Sequence, residues 1–169
     1  LQTYLVECYD LLVPRVEKWL VDHWPAGKSI EEWLSRKYQI LSPSDFGFHN
    51  VLKDDGRLHF VDHEYFGWDD PAKLVSEFCW HPGMKLTHEM KTTWWNSMIE
   101  LFSGDPGFVD RLKAMHPAFG IRWALIVLNQ YYIRPESSQL ERPLRVQLEL
   151  SRSYCKSVQK LLDAGLNIG

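Results

Sequence analysis

The chain has 169 residues, of which 45% are hydrophobic, 24% charged and 14% aromatic, with a formal net charge of −3. That length suits one compact domain with a real core, and a pI near 6.2 excludes a strongly basic nucleic-acid binder. No apolar run approaches the ~20 residues of a membrane helix, and Leu1-Gln2-Thr3-Tyr4 has no basic signal region. Three cysteines, Cys8, Cys79 and Cys155, are odd in number and far apart. They argue against a disulfide framework or a zinc site and favour a reducing, cytoplasmic setting.

From Tyr4 to Trp24 apolar residues recur at helical spacing, with Pro14 inside the run as an expected kink or break. Ser29-Ile30-Glu31-Glu32 has the form of a capping box and predicts a short helix ending near Lys37. Tyr38 to Leu41 reads as a short strand, and Ser42 to His49 as an irregular loop. Asn50 to Lys53 and Leu58 to Tyr65 read as two strands around Asp54-Asp55-Gly56-Arg57, a strong hairpin signal. Helices follow at about 71–80, 86–103, 106–115, 118–133 and 143–164, punctuated by proline and glycine. The expected class is therefore mainly α with a small β-hairpin (α+β), as a single domain over 1–169.

The hairpin is where chemistry is expected. Across an Asp55-Gly56 turn, paired residue numbers sum to about 111, so Asn50 sits opposite Val61 with Asp62 one position along. A loop one residue longer would set Asn50 directly opposite Asp62. Either register brings an amide oxygen and a carboxylate together, both hard ligands of the kind Mg²⁺ takes beside phosphates. Alternation places Leu58, Phe60, Asp62 and Glu64 on one face, with the apolar pair anchoring the strand. Asp45, five residues before Asn50, adds a third oxygen donor from a separate loop. A carboxylate for the attacking hydroxyl, with an Asn and an Asp for metal, is the composition of a phosphoryl-transfer site.

Ser44-Asp45-Phe46-Gly47-Phe48-His49-Asn50-Val51-Leu52, followed by Phe60-Val61-Asp62-His63-Glu64-Tyr65, resembles the catalytic core of the aminoglycoside phosphotransferase and choline kinase superfamily. The Asp-x4-Asn spacing, the gap from Asn50 to Asp62 and the downstream Asp69-Asp70-Pro71 all match that pattern. The resemblance implies a protein-kinase-like C-terminal lobe, with a catalytic and metal-binding region over 38–70 and a helical subdomain over 71–169. It implies Asp45 as catalytic base and Asn50 and Asp62 as the ligands of Mg²⁺ on ATP. His49, Glu64 and Asp70 are candidates for a supporting or substrate-contacting role. The acceptor would be a small-molecule hydroxyl: a sugar, an aminoglycoside or a choline-like alcohol.

Three departures accompany the match. Pro43 stands where the family has a bracing His or Tyr, and Lys73 where it places an Asp, with Glu77 the nearest acid. The 44 residues before Asp45 read as helices, without the family's β-rich nucleotide-covering lobe. The expectation is a catalytic lobe inactive by itself, completed by an N-terminal nucleotide-binding lobe in the full-length protein. The alternative is a catalytically silent lobe that binds a ligand or a protein partner.

Overall fold

The computed structural model describes residues 1–129 and 141–166. It is mostly helical with two small antiparallel sheets of two strands each, the α+β class expected. The helix predicted over 118–133 ends at Ile126, and residues 130–133 of that prediction lie outside the described residues. Among those residues no helix is long and apolar enough to cross a membrane.

The chain forms two compact units. Residues 1–22 and 117–166 make one, residues 23–116 the other. In the first, helix α1 (Gln2–Tyr4), a π-helical turn over Leu5–Tyr9 and helix α2 (Asp10–His23) follow one another. Pro14 lies inside α2 and does not end it, so of the kink or break expected from the sequence the break does not occur. The irregularity appears one turn upstream, where the Asp10 N–H reaches back to the Leu5 carbonyl. A π turn beside a proline is one of the devices by which a helix absorbs such a defect. The core here holds Tyr4, Leu12, Val16, Ala124 and Val158. The buried Tyr4 hydroxyl bonds Ser151 Oγ at 2.7 Å and Cys155 Sγ at 3.1 Å, and burial pushes the phenol above its ordinary pKa.

The second unit carries strand β1 (Ile40–Ser42), the hairpin β2 (Val51–Asp54) and β3 (Arg57–Phe60), and strand β4 (Gly67–Asp69). Helices α3 (Pro71–Trp80) and α4 (His88–Leu101) follow, with the residues of α5 (Phe108–Ile126) up to His116. Strand β4, absent from the sequence reading, pairs with β1 in the register Ile40↔Asp69 to Ser42↔Gly67. The helix predicted after Ser29 does not form. Ser29 Oγ accepts from the Glu31 N–H at 3.2 Å, but Glu32 turns to Lys28 at 3.5 Å instead of closing the box. Only a 3₁₀ turn over Arg36–Tyr38 appears downstream.

Helix α3 spans the predicted residues. Asp70 caps it by accepting the Ala72 N–H at 2.8 Å, and Pro71 fills the first position, where its missing donor costs nothing. The predicted break at Pro117 is replaced by one continuous α5. A helix-interior proline costs about 3 kcal/mol. Here its ring is fully buried, and the preceding carbonyl of His116 accepts the Trp80 indole N–H at 2.8 Å. Helix α6 (Glu141–Ala164) completes the first unit.

His116 is buried among Trp80 (ring centroids 5.0 Å apart) and Trp95 (4.6 Å, edge-on). Burial, with a smaller push from Lys91, drives its pKa from 6.5 down to about 3. Below pH 6.5 the unfolded chain takes up a proton that the folded chain refuses. Stability is therefore complete above pH 6.5 and falls as pH drops toward 3, by up to ~1.4 kcal/mol per pH unit. Urea midpoints at pH 7, 5.5 and 4.5 should show this slope, and His116→Phe should flatten it. An unchanged slope in that variant would remove His116 from the acid sensitivity.

Candidate functional site

The hairpin has the first of the two registers read from the sequence, with Asn50 opposite Val61 and not opposite Asp62. Val51 pairs with Phe60 and Asp54 with Arg57, and the Val61 N–H donates to the Asn50 carbonyl at 2.9 Å. Asp55 and Gly56 both have positive φ, at 42° and 76°, the requirement of a tight type I′ turn. The alternation beyond Phe60 does not hold. Strand β3 ends there, and Asp62 takes a left-handed backbone with φ of 62°. Asp62 and Glu64 therefore belong to an exposed loop and not to one strand face. Of the expected anchors, Phe60 stacks on Phe46 at 5.5 Å, whereas Leu58 stays 59% exposed.

Asp45 sits on a loop that supplies its own braces. Its N–H donates to the Pro43 carbonyl at 2.8 Å, and the Ser44 N–H to the buried Ser42 Oγ at 3.2 Å. Ser44 is held at φ of 61° between them, a conformation costing a non-glycine residue of order 1 kcal/mol. Asn50 Nδ2 donates to the Asp45 carbonyl at 3.0 Å, tying the loop to the hairpin. That bond uses the nitrogen end of the amide; the oxygen end is the one a metal would need. Next to Asp45, Phe46 also stacks on Trp94 and meets Phe78, with centroids 6.2 and 5.7 Å away. Each such pair is worth about 0.5–1.5 kcal/mol beyond burial, so the aromatic cluster pins the loop to α3 and α4.

Two imidazoles face the Asp45 carboxylate, one on each oxygen. His49 Nε2 lies 3.3 Å from Oδ2 and His81 Nε2 3.7 Å from Oδ1. The rings stack in parallel, 4.3 Å apart and 3° from coplanar orientation. Burial, then the neighbouring His49, pushes the His81 pKa below its ordinary value against the pull of Asp45. His49 was legible inside the loop. His81, the last turn of α3 away, was not, because only the packing of α3 brings it there.

Asp45, His49 and His81 each place a ligand atom within 4.8 Å of the others. A metal reading meets an obstacle in His81. The Gly83 N–H donates to its Nδ1 at 3.0 Å, so in the neutral ring Nε2 carries the proton. A metal-ligating histidine has the reverse arrangement, with its other nitrogen donating.

Asp62, Glu64 and Asp45 act on one reporter. The exposed Tyr65 phenol has its pKa raised by the hydrogen bond it donates to the Glu64 carboxylate, then by that residue's charge, with Asp62 and Asp45 contributing least. Asp70, in contrast, is committed to the scaffold: besides capping α3 it accepts from Arg111 Nε at 2.6 Å. Lys73, one of the departures from the family pattern, pairs with Asp69. Cys79 is buried and accepts the Trp95 indole N–H at 3.0 Å; burial pushes its thiol up to about 11, which leaves it inert.

A cleft of about 750 Å³ in this unit lies elsewhere, between residues 24–39, β4 and the start of α5. Glu31, Glu32, Asp69, Asp70, Asp105 and Asp110 line it against Lys28 and Arg111. Asp45 is not among its walls; the crevice beside Asp45, about 10 Å³, is bounded by Pro43, Asn50, Phe60 and His63. No family model, no curated protein and no solved structure matches this chain.

Proposed function

We propose that this chain carries the catalytic and metal-holding face of a kinase-like phosphotransferase acting on a small-molecule hydroxyl. The observation that carries the reading is the tie from Asn50 Nδ2 to the Asp45 carbonyl. It joins the proton-accepting loop to the hairpin, which Asn50 enters and after which Asp62 follows. Asp45 accepts the hydroxyl proton as the acceptor oxygen bonds the γ-phosphorus of ATP and the bond to the leaving ADP breaks. Asn50 Oδ1 and the Asp62 carboxylate are the residues that would hold Mg²⁺, both being hard oxygen donors. Bound there, the ion would neutralise charge on the phosphates. The acceptors to assay are sugars, aminoglycosides and choline-like alcohols.

The departures at Pro43 and Lys73 do not count against this reading. The Pro43 carbonyl braces Asp45 directly, and Lys73 has its own acidic partner. The test is ATP affinity of the full-length gene product with and without Mg²⁺. Asp62→Ala should weaken the Mg²⁺-dependent part roughly tenfold or more. Nucleotide or ligand binding that ignores Mg²⁺ and survives Asp45→Ala with Asp62→Ala would replace the enzyme by a silent binding lobe.

A further inference from the structure

We propose that His81 is a positioning residue for Asp45, holding one carboxylate oxygen so that the other meets the substrate hydroxyl. The inference rests on the phosphotransfer reading for its consequence, but not for its geometry. His81 caps the C-terminus of α3, where its own N–H bonds the Glu77 carbonyl at 2.9 Å. The Gly83 N–H fixes Nδ1 as an acceptor at 3.0 Å, which leaves Nε2–H as a donor 3.7 Å from Asp45 Oδ1. At 3.7 Å the contact is electrostatic. Catalytic hydrogen bonds are commonly long without substrate and tighten when it binds.

The surroundings are shaped for this ring. A Cβ on Gly83 would meet the His81 ring at 3.0 Å, and one on Gly47 would meet the His49 ring at 2.7 Å and Met84 Cε at 2.1 Å. Glycine at both positions lets the backbone close around the stacked pair. His81 is also the less exposed of the two, at 14% against 34% for His49. The division of labour follows from that difference. His81 anchors Oδ1 from the protein side, and Oδ2, which the more exposed His49 contacts at 3.3 Å, is the oxygen left to the hydroxyl.

The experiment compares His81→Leu, His81→Gln and Gly83→Ala in the full-length gene product. Loss of the donor should lower kcat by about 10²-fold, the cost of a misplaced reacting group, with KM for Mg²⁺-ATP within about twofold. Gln, whose amide places an N–H near the Nε2 position, should restore most of kcat. Gly83→Ala should fall between, because it displaces the ring without removing it. A Leu variant with normal kcat, or a folded Gln variant as slow as Leu, would overturn the proposal.

A second measurement does not need turnover. Long-range ¹H–¹⁵N spectra of the histidine rings should show His81 protonated at Nε2 and bare at Nδ1, with the Nε2–H losing exchange protection in Asp45→Ala. The opposite tautomer, or equimolar Zn²⁺ displacing the ring proton and shifting both imidazoles, would refute the donor role and make the cluster a metal site. If the tautomer is as stated while no acceptor is phosphorylated, the function reading fails and the His81 geometry stands.

Discussion

On the proposed phosphotransfer reading, Asp45→Asn should abolish most of the phosphoryl transfer while leaving the fold as it is. General-base catalysis contributes typically 10²–10⁴-fold, so a loss of about 10³-fold in kcat is expected. The bond from Asn50 Nδ2 goes to the Asp45 main-chain carbonyl, which the substitution keeps. The brace from its N–H to Pro43 is also backbone, so Tm should move little. Mg²⁺-ATP affinity should stay within about twofold, because the proposal gives the metal to Asn50 and Asp62 and not to Asp45. This combination separates a proton acceptor from a structural acid. Full turnover in the Asn variant would end the phosphotransferase assignment, whatever nucleotide the protein binds.

The parts of this site that the sequence discloses are those set by local rules. The Asp55-Gly56 turn dictates its register, and that register puts Asn50 opposite Val61 as read. Asp70-Pro71 marks the start of α3 because a capping carboxylate and a proline at the first position each satisfy the same helix end. The misreadings occur where a distant partner decides. Glu32 has a choice between the Ser29 amide and Lys28, and the capping box loses. Strand β4 has three residues and exists through its pairing with β1. Pro117 stays in a helix because Trp80 and burial reward the continuous α5. His81 and Arg111 are single residues in unremarkable helical sequence, and only packing gives either a role.

Arg111→Ala should cost the second unit about 3–5 kcal/mol, the penalty for stranding buried partners of an ion pair. Its guanidinium, 7% exposed, donates through Nε to Asp70 at 2.6 Å and through one terminal nitrogen to Asp105 at 2.6 Å. Burial alone would disfavour the charged form, but the hydrogen bonds to Asp105 and Asp70 outweigh it and raise the pKa. Arg111→Lys should recover less than half of the loss, because one ammonium cannot reproduce a fork spanning two carboxylates. Urea unfolding gives the size, and a cycle with Asp105→Asn gives the coupling, expected above about 1 kcal/mol. A loss below about 1 kcal/mol would mean that solvent already screens the triad. The consequence reaches the candidate site, because Asp70 starts α3 and His81 ends it. A helix released at Asp70 no longer holds its far end against Asp45. Near-native Arg111 variants should therefore lose the slow exchange of the His81 Nε2–H before they lose the fold.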